Sequence, residues 1–185
     1  MTRRSNGISL KIGLLVAGVM LCTVVMAQQA ELDKARMHVD MKDYPKAIAL
    51  YEELYKADDR STEIYTGYLD VLLLTKNYKE AEKLVDRQIQ RSPSNAAWMV
   101  DMGRIYKAAG KDKKAEEFFD KAITLLNGDD LVTQFVAKKF TDAGMDDYAL
   151  KTYVRAGEIL HNQFLYSGPM ARLYVKAGDI DNGII

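Results

Sequence analysis

Cysteine is nearly absent from this chain: Cys22 is the only one in 185 residues, and it lies inside an apolar N-terminal run. A single cysteine closes no intramolecular disulfide and builds no cysteine-based metal cluster. Histidine is almost as scarce, confined to His38 and His161, which leaves little for a zinc site. Only three prolines interrupt the chain, and no segment is biased enough in composition to be a disordered linker. Lysine plus arginine equals aspartate plus glutamate at 26 each, so the strong basic excess of a nucleic-acid binder is missing. No phosphate-binding loop, nucleophile elbow or dinucleotide glycine motif occurs. These absences predict a protein with no catalytic residues, no metal and no cofactor.

The first 27 residues differ from the rest. "MTRRSNGISLK" carries Arg3, Arg4 and Lys11 without an acid, and residues 12–27, "IGLLVAGVMLCTVVMA", are uncharged. A basic start, a short apolar run and a small residue at its end make a secretory signal peptide. Val25-Met26-Ala27 fits the cleavage pattern and predicts a mature start at Gln28. The run holds 16 residues, fewer than the about 20 of a spanning helix; an uncleaved membrane anchor is the alternative, and the only membrane association expected. Leu21 is too large to precede a lipid-modified cysteine at Cys22. Cleavage removes the one thiol and three basic residues, leaving 23 basic against 26 acidic, a net of −3. With no Asn-x-Ser/Thr acceptor in the chain, export to a bacterial periplasm is the expected location.

What the chain does have is a period. Ala47, Ala81, Ala115, Ala149 and Gly183 follow one another at steps of 34 residues. A second small column runs Ala35, Leu69, Gly103, Ala137, Ala171, and three residues further on stand His38, Leu72, Tyr106, Phe140 and Tyr174. Lys42, Lys76, Gly110, Gly144 and Gly178 share a turn position, and Tyr51, Val85, Phe119 and Tyr153 share another large one, followed by Leu54, Gln88, Ala122 and Ala156. Small residues belong where two helix backbones approach, with large side chains filling the adjacent holes. Glycine at the turn supplies the positive φ that ends a helix. Asp43, Asn77 and Asp112 are placed to cap second helices, and Pro45 suits a first turn.

"MGRIYKAAGKDKKAEEFFDKAI", with its neighbours at the same spacing, resembles the tetratricopeptide repeat family, whose unit is a 34-residue helix–turn–helix. The resemblance implies an all-α fold, an α-solenoid of stacked helix pairs forming a right-handed superhelix. Its repeats fall at about 28–61, 62–95, 96–129 and 130–163, with an incomplete unit at 164–185. The structural columns it assigns are Ala47, Ala81, Gly103, Tyr106, Gly110, Ala115, Phe119, Ala122, Gly144, Ala149 and Gly178. Trp98 stands one residue early for the family's tryptophan, His38 fills an aromatic column, Gln88 replaces a small residue, and the fourth repeat ends at His161-Asn162 without proline.

In the last unit, Gly168 and Pro169 sit in what would be early helix. Proline belongs in a first turn, so this helix is expected to start late, capped by Ser167, with its partner starting near Ile180. A helix that short is not stable alone, and terminal repeats need a polar outer face. The expectation is a fragment of a longer protein, or else an end covered by a partner or by self-association.

The resemblance implies a ligand on the concave face lined by the first helices. One register step beyond the small column lie Arg36, Asp70, Arg104, Lys138 and Arg172, with Lys107 nearby. Leu32, Thr66, Val100 and Gln134 complete the expected lining. Arginines grip carboxylates bidentately, which points to a protein or peptide partner; Asp40, Asp70 and Asp142 are the acids able to neutralise the ladder instead. Some family members hold chaperone C-termini with a lysine–asparagine clamp, but Leu32, Arg36 and Gly67 stand at the matching positions, so that activity is not carried over. Asp129-Asp130 and Asp146-Asp147 precede helices, where acids favour the N-terminus. The function expected is a non-catalytic protein-binding scaffold in the bacterial envelope; the alternative is a helper segment of a larger machine for secretion, glycan uptake or enzyme assembly.

Overall fold

The computed structural model describes residues 26–183, and their regular structure is helical throughout, with no strand among the described residues. The basic start, most of the apolar run, Cys22 and the last two isoleucines lie outside the described residues. Residues 26–40 form helix α1. It is followed by α2 (Tyr44–Ala57), α3 (Thr62–Leu74), α4 (Tyr78–Arg91), α5 (Ala96–Ala108), α6 (Asp112–Thr124), α7 (Asp130–Asp142), α8 (Asp146–Ile159), α9 (Ser167–Lys176) and α10 (Ile180–Gly183). Helices start at 62, 96 and 130, and again at 44, 78, 112 and 146, so both series step by the period of the sequence columns. No helix among the described residues is long and apolar enough to cross a membrane.

The chain divides into two compact units, one ending at Thr75 and one starting at Lys76. In the first, α2 packs on α3. Tyr51 and Tyr68 stack at 6.4 Å between centroids, and a Cβ at Gly67 would stand 2.5 Å from the Tyr51 hydroxyl. In the second, α5 packs on α4, α6 and α7, α8 on α6 and α7, and α9 on α8 and α10. Its centre is a ring cluster: Phe119 lies 5.4 Å from Phe140 and 4.9 Å from Tyr148, which itself stacks on Phe140. Each such pair adds about 0.5–1.5 kcal/mol beyond simple burial. Ala47, Ala81, Ala115, Ala122 and Ala149 are buried, as are Gly103, Tyr106 and Phe119. The alanines let helix backbones approach to the distance that the rings then fill.

The turns inside each pair follow one hydrogen-bonding scheme. Lys111 N–H donates to Tyr106 C=O at 2.9 Å, Met145 N–H to Phe140 C=O at 2.8 Å and Asp179 N–H to Tyr174 C=O at 2.9 Å. Each closes a helix end whose next residue is left-handed: Gly110, Gly144 and Gly178 have φ of +72°, +70° and +81°. Lys42 and Lys76 occupy the same column at φ +59° and +60°, so lysine there adopts what glycine was expected to supply. A left-handed non-glycine residue costs roughly 1–2 kcal/mol, offset in part by glycine's greater unfolded-state entropy, about 0.5–1 kcal/mol. Lys76→Gly therefore raises stability by about 0.5–1 kcal/mol, read as an upward shift of the urea midpoint.

Helix capping differs from the sequence expectation. Asp43 and Asn77 stand at the N-caps of α2 and α4 without a side-chain capping bond, and α6 is preceded by Lys111, which makes Asp112 its first residue. The N-caps of α2, α4, α6 and α8 have ψ of 55–63°, away from the extended geometry that aims a cap oxygen at the first turn. The caps that form belong to first helices: Asn95 Oδ1 accepts from Ala97 N–H and Asp129 Oδ1 from Val132 N–H, both at 3.0 Å, and Ser61 Oγ from Ile64 N–H at 3.4 Å. Their ψ values of 108–122° are extended. Helix α9 does start late, but Ser167 is its first residue and not its cap. Tyr166 precedes it, held by a hydroxyl bond to Asp130 Oδ1 at 3.0 Å and by its ring on Tyr153. Pro169 then falls inside the first turn.

Candidate functional site

The second unit brings together the first helices α5, α7 and α9, and their charged residues are the place to look for a binding site. Helix α5 begins "AAWMVDMG". Asp101 is the one charge in that apolar stretch, and it is fully buried. A buried carboxylate needs a cation, and it receives two. Lys139 of α7 donates to both Asp101 oxygens at 2.8 and 2.7 Å, and Arg104 approaches one of them at 3.4 Å. The Lys139 ammonium also lies 6.0 Å from the Trp98 ring centre and 5.6 Å from that of Phe135, within cation–π range. This cluster ties α5 to α7 across 38 positions of sequence.

The ladder residues read from the sequence fall into different situations. Arg36, in the first unit, is ion-paired to Glu63 and reaches Asp33 at 3.3 Å. Its Glu63 hydrogen bond raises the guanidinium above its ordinary pKa. Asp70 is exposed in the same unit. In the second unit Arg104 serves the buried Asp101. Lys107 reaches Asp112 across the turn at 3.4 Å. Lys138 folds back on Asp142 of its own helix at 2.6 Å. Of the expected lining, Leu32 and Val100 are buried, at 3% and 0% exposure, and so line no accessible surface. Thr66 is half-buried and Gln134 exposed.

Arg172 differs from the others. It is exposed and has no hydrogen bond or ion pair among the described residues. Its charge acts on Tyr153 of α8: burial pushes the Tyr153 phenol up, and Arg172 opposes that rise. The two line an open cleft of about 330 Å³ between α7 and α9, with Lys138, Asp142, Leu173 and Lys176. Lys176 is tied to Asp146 at 2.7 Å. Alongside, α7 exposes Leu131 and Phe135, at 79% and 45%, four residues apart on one helix face.

Asp101, Lys139, Leu131, Phe135 and the cleft role of Tyr153 were not picked out from the sequence. Asp101 carried a signal, being a lone acid within an apolar helix start. Lys139 carried none, because it adjoins Lys138 and a step of one residue turns the side chain by about 100°. His38 is half-buried, with Nδ1 3.5 Å from Asp43 Oδ2, an ionic distance without a hydrogen bond. His161 is exposed in the α8–α9 connection. Among the described residues no three His, Cys, Asp or Glu side chains cluster as metal ligands.

Two family models, both described as tetratricopeptide repeat, match this chain, over residues 38–91 and residues 99–125. The human antiviral innate immune response effector IFIT1 is 27% identical over 136 residues, covering 66% of this chain and 28% of its own length. The chain thus spans about 28% of that relative. Among solved structures, MamA from Desulfovibrio magneticus RS-1 is 17% identical, with 72% of this chain and 76% of that one covered at a TM-score of 0.43. YrrB, described as a TPR protein with an unusual peptide-binding site, is 17% identical, with 83% and 79% covered at a TM-score of 0.39.

Proposed function

Because this chain is a tetratricopeptide-repeat protein, we propose that it is a non-catalytic scaffold that docks a partner protein or peptide in the bacterial cell envelope. The envelope is supported by the basic and apolar leader of residues 1–27. The observation that carries docking is the face of α7: Leu131, Phe135 and Lys138 are exposed on it and share one stripe at helical spacing. Contiguous exposed apolar surface rimmed by polar residues marks interaction sites. Arg104 lies on α5, where its guanidinium serves the buried Asp101.

Affinity capture from envelope extracts with the full chain tests the reading. Phe135→Ser and Lys138→Glu each reduce recovery of the captured partner at least about fivefold, on the order of 1 kcal/mol, while the thermal midpoint stays within about 2 °C. Equal recovery by wild type and both variants removes α7 as the docking face.

A further inference from the structure

We propose that the cleft between α7 and α9 is a pocket for a single carboxylate of an acidic peptide segment, gripped by Arg172 and Tyr153. The proposal deepens the docking reading and rests on it. Charge bookkeeping in the cleft is the first argument. Lys138 is closed on Asp142 and Lys176 on Asp146, and Thr141 spends its hydroxyl on the Ala137 carbonyl of its own helix. Arg172 is the cation left over, so the cleft carries one uncompensated positive charge. That matches a monoanion; a phosphate dianion would leave the cleft overcharged.

The second argument is the donor set. Arg172 offers a planar fork of N–H donors suited to the two oxygens of a carboxylate. Tyr153 lines the same cleft from α8, and its hydroxyl makes no hydrogen bond among the described residues; its ring packs on that of Tyr166, and the charges of Arg172 and Asp130 act on it. Burial keeps that phenol protonated at neutral pH, hence a donor. A guanidinium and a phenol lining one cleft, neither hydrogen-bonded to another side chain among the described residues, form a donor set complementary to one carboxylate. Among the second-helix residues of the Tyr51 column in this unit, Val85 and Phe119 have no such hydroxyl.

The third argument makes the ligand a peptide. Leu131 and Phe135 are exposed one to two turns before Lys138 on α7. At 1.5 Å per residue Leu131 lies about 10 Å along α7 from Lys138 at the cleft, or about three residues of extended chain. The segment that fits carries an apolar side chain three positions before its carboxylate.

The full chain, isotope-labelled, is titrated with the acetylated and amidated hexapeptide Gly-Leu-Gly-Ser-Asp-Gly and with its Asn counterpart, while Arg Nε–H and Tyr ring resonances are followed by NMR. The Asp peptide shifts the Arg172 and Tyr153 signals saturably and binds about tenfold tighter than the Asn peptide. Arg172→Gln erases that preference and Tyr153→Phe weakens it about threefold, with amide spectra otherwise unchanged. Equal binding of the two peptides, or an Asp preference that survives Arg172→Gln, overturns the pocket. Sodium acetate binding as tightly as the Asp peptide overturns the peptide assignment. If the pocket fails in this way while Phe135→Ser still abolishes capture, the docking reading stands and only the pocket falls. If the Asp preference is found while capture ignores every α7 variant, the pocket stands and the docking reading falls.

Discussion

Lys139→Met lowers the stability of the second unit by about 3–5 kcal/mol. The reason is the asymmetry of buried ion pairs: removing one partner leaves the other charge buried and uncompensated. Asp101 has no exposed surface and Lys139 has a side chain only 12% exposed. Arg104 remains after the substitution, but at 3.4 Å from one oxygen and with a side chain 23% exposed, so it offsets only part of the loss. Removing both charges, as in Asp101→Leu with Lys139→Met, restores most of the stability, because the desolvation cost then disappears with the pair. The contrast within this chain is Arg36→Met. That pair with Glu63 is exposed on both sides, and exposed pairs contribute about 0–1 kcal/mol. Urea unfolding followed by circular dichroism reads all of these. Trp98, the only tryptophan, reports the same helix pair by fluorescence. A Lys139→Met protein within about 1 kcal/mol of wild type would show that Asp101 is solvated and not buried.

Gly103→Ala costs about 2–3 kcal/mol, the upper range for an added methyl in a packed core. A Cβ at Gly103 would overlap the Phe119 ring. That ring has no room to retreat, since Phe140 and Tyr148 stand within 5.4 Å of its centre. The assignment to overlap and not to backbone strain has its own check. Gly144 has φ +70° and nothing within 4 Å of an added Cβ, so Gly144→Ala costs only about 1 kcal/mol of left-handed strain. Phe119→Leu alone opens a gap and destabilises. Combined with Gly103→Ala it makes room for the methyl, so the double variant is about 1–2 kcal/mol more stable than the sum of the singles. Additive behaviour in that cycle excludes overlap as the cause.

The same two regions show how far the sequence reading reached. The Gly103 and Phe119 columns were legible because a 34-residue period repeats the same packing problem with the same small and large answers. The turn positions were legible at all five places in the column, but the left-handed backbone was expected only of glycine at 110, 144 and 178 and not of Lys42 and Lys76, because lysine has no sequence mark for it. The caps were assigned to second helices and formed on first helices, because capping depends on the ψ of the cap residue as well as on its side chain. For the candidate site, the ladder pointed to the first helices, which carry Arg104, Lys138 and Arg172. It did not single out Lys139, which the structure places on Asp101, and it gave Tyr153 only a packing column.

Composition and period by themselves determined the helical repeat, the positions of its turns and the small-and-large columns of its core. They also fix the scarcity of cysteine and histidine, one and two residues in the chain. Those properties are local or recur at fixed spacing, so one strand of text is enough to see them. Only the tertiary structure decided which charges neutralise one another. Asp101 meets Lys139 from 38 residues away, Lys138 and Lys176 are paired with Asp142 and Asp146, and Arg172 lines one cleft with Tyr153. Pairing is a matter of ångströms and of the angle at which each helix face meets the next, and neither is written in the spacing of residues along the chain.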